Sequence, residues 1–353
     1  AVTGASYYQV SRADTLAGTK TVLGSWQTAL TYTNTTALAM TNYYYFVTAA
    51  VDGSGGYGSA YSAGDVGYRA LPVPAAPTGV SATDGTSTNL ITVSWTAVSG
   101  ASSYEVWRGT TSSSASATSL ATGVSALTYS DSTASPGTRY YYWLKAVKTS
   151  GSSSFSASDT GYLGLSSPTA VSATDGTSTT TVTVTWTAAT GAVSNEVWRG
   201  TTANPASATS LATGITTTTY SDTSANPGVL YFYWLKAVNV VSTSAFSGSN
   251  TGYRALSAPT GVSASDGTTT NGVIVTWSTV TGASYYRVSR AATAVGAKTE
   301  LGTWQTALTY TDASSVAGSN YYYFVVAAVD GSGGYASASS TYDIGYRQVA
   351  SFG

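Results

Sequence analysis

A tryptophan that returns every 91 residues constrains the fold of this chain more than any other feature. Trp95, Trp186 and Trp277 each close a segment in which apolar residues recur at every second position, as in TVTVTW (181–186). A tyrosine-rich run follows each of them, and a fourth run occurs without a preceding tryptophan segment. The four runs are YYYFVTAAV (43–51), YYYWLKAV (140–147), YFYWLKAV (231–238) and YYYFVVAAV (321–329). A fixed period of this length predicts an array of small domains built on one plan.

The ends of the repeats place the domain boundaries. Each repeat ends in a Gly-Tyr pair, within GYRAL (67–71), GYLGL (161–165), GYRAL (252–256) and GYRQV (345–349). We therefore predict domains at 1–71, 72–164, 165–256 and 257–347, followed by a tail at 348–353. Because Ala1–Gly4 aligns with Thr279–Gly282, we expect the first domain to lack its first two strands. The connection LPVPAAP (71–77) is the longest, and we expect it to be the loosest.

The repeats fall into two classes. The second and third share EVWRGTT, whereas the first and fourth share GASYY, WQTALTYT and AAVDGSGGY. This order fits a four-domain protein with matched ends. It fits equally a window on a longer chain whose larger repeat contains three domains.

The apolar residues follow the period of a β-strand. In 181–186 valine alternates with threonine, which indicates a half-buried strand. In 140–146, taking Lys145 as the outward residue turns Tyr140, Tyr142, Leu144 and Ala146 inward and leaves Tyr141 and Trp143 outward. No segment shows a capped helical periodicity. The sequence therefore predicts an all-β fold of sandwich domains.

These blocks resemble those of fibronectin type III domains. PGTRYYYWLKAV (136–147) is similar to that family's tyrosine corner and sixth strand, and the three tryptophans stand where its second strand carries a core tryptophan. Tyr104-Glu105-Val106 resembles the third strand, and APTGVSA (76–82 and 258–264) the first. The resemblance implies a linear array of immunoglobulin-like β-sandwiches, most similar to modules of large bacterial surface and secreted proteins. The core residues that we predict are Trp95, Trp186, Trp277, Tyr43, Tyr140, Tyr231 and Tyr321.

Composition excludes several classes of chemistry. The chain contains no histidine and no cysteine, so it can form neither a Ser-His-Asp arrangement, nor a Cys/His zinc site, nor a disulfide. Its acidic residues recur at equivalent turns, such as Asp84 and Asp175, which is typical of turn chemistry. The runs DGSGG (52–56 and 330–334) lack the GK[ST] ending of a phosphate loop and predict hairpin turns. We therefore expect neither an enzyme nor a cofactor.

Charge and hydropathy bear on partners and location. Fourteen basic residues stand against 15 acidic ones, with no basic stripe, so we expect no nucleic-acid partner. No apolar run is long enough to cross a membrane, so we expect no membrane insertion. Ser, Thr, Gly and Ala fill positions where Lys and Glu are usual, which favours an extracellular or cell-surface location.

Outward aromatic residues form the candidate interaction face. By alternation it contains Tyr7, Tyr44, Phe46, Trp107, Tyr141, Trp143, Trp198, Phe232, Trp234, Tyr285, Tyr322 and Phe324. Such a ladder can stabilise its own sheet, pack against another chain or stack on the sugar rings of surface glycans.

Two functions remain open at this point. The first is a non-enzymatic subunit of an extracellular filament or rod, which joins copies of itself through these faces and through contacts between the Tyr7 and Phe352 ends. The alternative is a spacer or a carbohydrate- or cell-adhesive module of a larger secreted protein. Strand donation from a neighbouring subunit is one way to complete the first domain; covalent chain before residue 1 is another.

Overall fold

A computed structural model describes residues 1–350, and Phe352 and the rest of the predicted tail beyond residue 350 lie outside the described residues. The described chain is built almost entirely of antiparallel strands. Its only helical elements are two single turns, Ser114–Ser116 and Pro205–Ser207. The all-β prediction is therefore confirmed.

The first repeat forms one four-stranded sheet of order β2-β1-β3-β4. Its strands are β1 (Tyr7–Ala13), β2 (Thr21–Val22), β3 (Asn42–Ala50) and β4 (Asp65–Tyr68). Among the described residues, no three-stranded sheet covers it, in contrast to the repeats that follow.

Each of the other repeats contains a three-stranded sheet and a larger one. In the second repeat the strands are β5 (Ser81–Ala82), β6 (Ile91–Ser94), β7 (Ser103–Gly109), β8 (Thr118–Val124), β9 (Thr128–Asp131), β10 (Tyr140–Lys148), β11 (Gly151–Ser152) and β12 (Asp159–Gly161). They pair as β5-β6-β9 and as β11-β10-β7-β8, with β12 also on β10.

The third and fourth repeats share one topology. The third contains β13 (Thr169–Ala173), β14 (Val182–Thr187), β15 (Ser194–Gly200), β16 (Thr209–Ile215), β17 (Thr219–Asp222), β18 (Leu230–Val238) and β19 (Asn250–Tyr253). The fourth contains β20 (Ser263–Ala264), β21 (Val273–Thr276), β22 (Tyr285–Ala291), β23 (Thr299–Gln305), β24 (Thr309–Asp312), β25 (Tyr321–Ala328) and β26 (Asp343–Gly345). The orders are β13-β14-β17 with β16-β15-β18-β19, and β20-β21-β24 with β23-β22-β25-β26.

The chain divides into two compact units, whose boundaries differ from those of the four repeats. One compact unit comprises Ala1–Ala82, Val93–Tyr129 and Tyr141–Asp159; the other comprises Thr83–Thr92, Ser130–Tyr140 and the chain from Thr160 onward. Every sheet lies within one of the four predicted domains, but the domain boundaries themselves stay a prediction.

The core of each later sandwich lies between its two sheets. In the third repeat, Trp186 and Val184 of β14 pack with Val197 of β15 and with Tyr233 and Leu235 of β18. These residues are buried because the period-two pattern of each strand turns its apolar set to the same side. The structure likewise buries Trp95, Trp277, Tyr43, Tyr140 and Tyr231, and it leaves Tyr321 half-buried against the core of the fourth repeat.

A buried carboxylate joins the two sheets of the third repeat. Asp222 of β17 accepts hydrogen bonds at Oδ2 from Arg199 Nη1 of β15 at 2.6 Å and from Tyr233 OH of β18 at 2.9 Å. Its Oδ1 accepts from the amide and the hydroxyl of Ser224. Burial raises the pKa of Asp222, but these hydrogen bonds outweigh burial and hold the pKa below its ordinary value.

The fourth repeat contains the same network, and the first contains a variant. Arg290 Nη1 lies 2.5 Å from Asp312 Oδ2. In the first repeat Asn34 stands at the position of Asp312 and donates to Tyr45 OH at 3.0 Å. Arg12, which aligns with Arg290, has a buried Nη1 with no hydrogen-bond partner among the described residues. The first repeat has therefore lost the carboxylate that joins the sheets elsewhere.

Candidate interaction surfaces

The aromatic face of the third repeat is covered by its own chain. Trp198 of β15 lies opposite Trp234 of β18, on the face away from Tyr233, as the alternation predicts. Trp234 is only 2% exposed, however. Phe232 stacks on it at 6.1 Å between ring centroids, and a Cβ placed on Gly200 would lie 3.4 Å from its Cζ3. The predicted exposure of Trp234 is therefore wrong, because Phe232 and the backbone of Gly200, the last residue of β15, lie against the ring.

The same correction applies to three more residues. Trp143, Phe46 and Phe324 are also buried. Trp143 packs under Tyr141, with Gly109 close to its ring. Phe46 meets Tyr61 and Lys20, and Phe324 meets Tyr342 and Lys298. The other eight predicted face residues are half-buried: Tyr7, Tyr44, Trp107, Tyr141, Trp198, Phe232, Tyr285 and Tyr322.

Charged side chains complete the cover over Trp198. Its indole N–H donates to Glu196 Oε2 at 2.9 Å, and Phe246 meets its ring edge-on at 5.3 Å. Lys236 Nζ lies 5.1 Å from the Trp198 ring and 4.2 Å from that of Phe246. Such cation–π and edge-on contacts stabilise the sheet. A ring already engaged in this way is a poor flat platform for a sugar.

The inner face of the first sheet borders a cavity of about 710 Å³. Tyr8, Val10, Tyr45 and Val47 line it. Their counterparts in the fourth repeat are buried beneath β21 and Trp277. This cavity lies where the two strands missing from the first repeat are expected, and what fills it stays a prediction.

The glycine-rich run at 52–56 forms a turn closed by its aspartate. Asp52 Oδ1 accepts hydrogen bonds from the amide and hydroxyl of Ser54 and from the amide of Gly56. The Ser54 hydroxyl, together with these amides, lowers the pKa of Asp52. The next residue, Tyr57, has a left-handed backbone (φ +53°) and is 95% exposed. The run at 330–334 repeats the turn, but there the Tyr335 ring packs at a tilt against Tyr253, with 4.2 Å between the ring centroids.

That tyrosine pair belongs to a packed junction between the third and fourth repeats. Leu256, in the connection, is 1% exposed and lies in the core cluster of the fourth repeat. A Cβ placed on Gly228 would lie 2.5 Å from Val329 Cγ1, and one placed on Gly282 would overlap the carbonyl oxygen of Pro227. Both glycines have positive φ, at +71° and +85°. The two repeats therefore approach so closely that only glycine fits at either position.

The second and third repeats meet in the same way. A Cβ on Gly137 would lie 3.4 Å from the carbonyl oxygen of Gly191. Asn239 Nδ2 donates to that oxygen at 3.3 Å, and Leu165 of the connection is buried. This junction is also closed by glycine, a buried leucine and a short side chain after the tyrosine run.

The first connection is open by comparison. Met40, at φ +61°, stands where the other repeats have glycine, and its side chain is exposed. Lys148 stands at the position of Asn239, and its Nζ would lie 3.6 Å from a Cβ on Gly100. Leu71 is 41% exposed, in contrast to Leu256. The connection expected to be loosest therefore lacks the packing that the other two have.

The sequence interpretation missed these junction residues. The glycine shortly before each later tyrosine run is visible in the sequence, at Gly137, Gly228 and Gly318, as is the apolar residue three positions after each Gly-Tyr tyrosine. Among the described residues, no cluster of three or more acidic side chains could hold a metal ion. The same part of the chain contains no helix long and apolar enough to cross a membrane.

Comparison with known proteins bears on the fold. No family model matches the chain, and no curated protein sequence matches it significantly. The chain is similar to the crystal structure of a Fn3-like protein from Clostridium thermocellum, at 36% identity over 26% of this chain and 95% of that chain, with a TM-score of 0.25. It also aligns with a two-domain fibronectin type III segment of chicken tenascin, at 19% identity over 50% of this chain and 98% of that one, with a TM-score of 0.41. A third alignment, with the FN1–FN3 domains of chicken CNTN1, has 16% identity over 79% of this chain and 100% of that one, with a TM-score of 0.27.

The identity with the Fn3-like protein extends over nearly all of that protein's length. Each later repeat has a three-stranded sheet, a larger sheet of four or five strands and a buried tryptophan, as a fibronectin type III-like sandwich requires. The chain is therefore a tandem array of fibronectin type III-like β-sandwich domains.

Proposed function

We propose that this chain is a non-enzymatic structural subunit of an extracellular or cell-surface filament, assembled from copies of itself through the ends of its repeats. A fibronectin type III-like fold is that of a structural or binding module, and fold alone does not choose between these roles. The observation that carries the structural choice is the packed junction between the third and fourth repeats, where Leu256 is buried in a domain core.

A packed junction supports a structural role because it resists bending. Fully burying a leucine side chain stabilises a contact by about 1.5–3 kcal/mol, which a loose spacer would not gain. Gly228 and Gly282 have no side chain, which allows the backbones of the two repeats to approach closely. Repeats joined in this way transmit orientation from one to the next.

The surface composition supports assembly outside the cell. Only 8% of the residues are charged, and hydroxyl-bearing side chains fill many exposed positions. Two such surfaces can approach without removing many charges from water, which is the costly step in burying ion pairs. The aromatic faces have no part in this assembly, since four of their twelve rings are buried and the other eight are half-buried.

A binding module is the second candidate, and the cavity of the first repeat favours it. About 710 Å³ is within the range of small-ligand sites, and aromatic and aliphatic side chains such as Tyr8 and Val10 line much of it. A ligand or peptide segment placed there would cover the inner face of the first sheet.

Sedimentation velocity and negative-stain electron microscopy of the purified chain test the proposal. We expect linear polymers that lengthen as the concentration rises from micromolar to millimolar. A chain that stays monomeric over this range contradicts the filament role. The variant Val47→Glu, which adds a charge to an exposed wall of the cavity, separates the candidates. It leaves a polymer joined through repeat ends unchanged, whereas it abolishes binding in the cavity.

A further inference from the structure

The first repeat displays an unpaired copy of the surface with which the fourth repeat contacts the third. The two repeats align without a gap, so that Val2, Gly4, Val51 and Tyr57 correspond to Val280, Gly282, Val329 and Tyr335. In the fourth repeat these residues are buried or packed at the junction. In the first repeat Val2, Val51 and Tyr57 are exposed, and a Cβ on Gly4 would meet no atom within 4 Å.

The end of the fourth repeat displays the complementary half. Gly318 has φ +75° and donates its amide hydrogen to the Arg347 carbonyl at 2.9 Å, as Gly228 donates to that of Arg254 at 2.8 Å. A Cβ on Gly318 would lie 3.2 Å from Val349 Cγ2. Val349 thus takes the position of Leu256, whose Cδ2 would lie 3.1 Å from a Cβ on Gly228.

Among the residues that the structure describes, nothing covers this half. At Gly228 two further neighbours from the next repeat, Val329 and Gly282, complete the contact. At Gly318, Val349 is the only neighbour within 4 Å of a Cβ in the described part of the chain, and both Val349 and Tyr346 are exposed.

The residues at these two ends are those of a packed junction. Each closed junction combines two residues from neighbouring repeats. One is a glycine shortly before the tyrosine run of the earlier repeat, and the other is a short uncharged residue at the end of the run of the later repeat, as in Gly137 with Asn239 and Gly228 with Val329. The open first connection has Met40 and Lys148 at these positions. The two unpaired ends offer Gly318 and Val51, which is the combination of the junction between the third and fourth repeats.

We propose that the chain docks head to tail on a second copy, the first repeat of one copy meeting the end of the fourth repeat of the other. Tyr57 then packs against Tyr346 as Tyr335 does against Tyr253, and Val51 packs against Gly318 and Val349. Gly4 receives the carbonyl oxygen of Ala317. Such a heterologous contact does not close on itself and generates a linear polymer. This inference rests on the proposed function and names the residues that would build the polymer.

Gly4→Ala is the first test, with Gly123→Ala as its matched control. Both glycines have a positive φ, at +85° and +70°, and a Cβ on either meets no atom within 4 Å in the single chain. The two variants therefore carry the same backbone strain. In the docked pair only the Cβ of Gly4→Ala would overlap a carbonyl oxygen, as one on Gly282 would in the chain. We expect association about 10- to 100-fold weaker for Gly4→Ala, the range for overpacking a close contact, and unchanged for Gly123→Ala.

Cysteine cross-linking is the second test, and it is clean because the chain has no cysteine of its own. A mixture of Val51→Cys and Val349→Cys chains, mildly oxidised, should form disulfide-linked heterodimers. Val295→Cys replaces Val51→Cys in the control, since Val295 is 97% exposed and lies outside the proposed contact. We expect heterodimers well above this control.

The outcomes separate the two proposals. If wild-type chains polymerise, but Gly4→Ala polymerises equally well and the cysteine pair does not cross-link, the head-to-tail site is wrong and the filament role stands. If wild-type chains stay monomeric but the pair cross-links above its control, the site exists and the filament role fails. Monomers without cross-links overturn both proposals and leave these surfaces to an occupant other than a second copy.

Discussion

Replacing Asp222 by asparagine tests whether the buried carboxylate holds the two sheets of the third repeat together. The side chain is fully buried and accepts hydrogen bonds from Arg199, Tyr233 and Ser224. Asparagine preserves its shape and can still accept at Oδ1. Its amide nitrogen cannot accept from Arg199 or Tyr233, so two charge-assisted hydrogen bonds are lost.

The magnitude follows from the geometry. Each hydrogen bond to a charged group contributes about 1.5–3 kcal/mol, and removing one partner of a buried ion pair costs about 3–5 kcal/mol. The Arg199 side chain is 17% exposed and keeps some contact with water, which places the loss near the lower end. We expect the third repeat to lose about 3 kcal/mol, which corresponds to about a 100-fold change in its unfolding equilibrium.

Hydrogen exchange of the whole chain, read by mass spectrometry, measures this loss repeat by repeat. Amides of β18 should exchange about 100-fold faster in Asp222→Asn, while those of β25 in the fourth repeat should not change. Asp312→Asn should reverse the pattern, because its network has the same geometry. A change of less than about threefold in β18 would refute the reasoning, since it amounts to well under 1 kcal/mol. The first repeat already has asparagine at this position, since Asn34 stands in place of the aspartate.

Three further predictions follow from burial and charge. The pKa of Asp222 in the folded protein lies below the unfolded value of about 3.9. The stabilisation that the carboxylate provides is therefore complete above that pH and is lost as the pH falls through the folded pKa. In urea unfolding at decreasing pH, we expect the wild type to lose more stability than Asp222→Asn. Trp234→Ala should cost about 3–5 kcal/mol and Trp198→Ala about 1–2 kcal/mol in chemical denaturation, and equal losses would show that the two rings are equally covered. Limited proteolysis should cut first within 71–77, where Leu71 is 41% exposed, and a first cut within 254–259 would contradict the packed junction.

The strands and their inward faces could be predicted because they depend on local alternation. Trp186 and Leu235 are buried as the period-two pattern requires. The same pattern places Trp234 on the opposite face, but it does not say what covers that face. Trp234 is covered by Phe232 and by the backbone of Gly200, the last residue of β15, and Trp198 is covered by Phe246 in the irregular chain after β18. The error in the predicted face is therefore one of tertiary packing rather than of strand direction.

The packed junctions between repeats could not be predicted from the alternating pattern of a strand. Gly228 and Gly282 are 54 residues apart, and each alone reads as an ordinary turn glycine. Their meaning appears only when a Cβ on either is seen to collide with the neighbouring repeat. Comparing the repeats with one another could have found the signal, since Met40 breaks the glycine pattern where the connection is open.

Two positions per repeat therefore decide how neighbouring sandwiches of nearly equal fold are joined. Glycine before the tyrosine run lets the next backbone approach, whereas a side chain at the same left-handed position, such as that of Met40, would collide with a backbone that came equally close. An uncharged residue after the run can be buried, whereas Lys148 would have to be desolvated without a partner. If copies join head to tail through Gly318 and Val51, each chain contributes closed contacts everywhere except at Met40. A polymer built in this way would bend at the first connection of each copy, because there the array lacks the packing that fixes one repeat against the next.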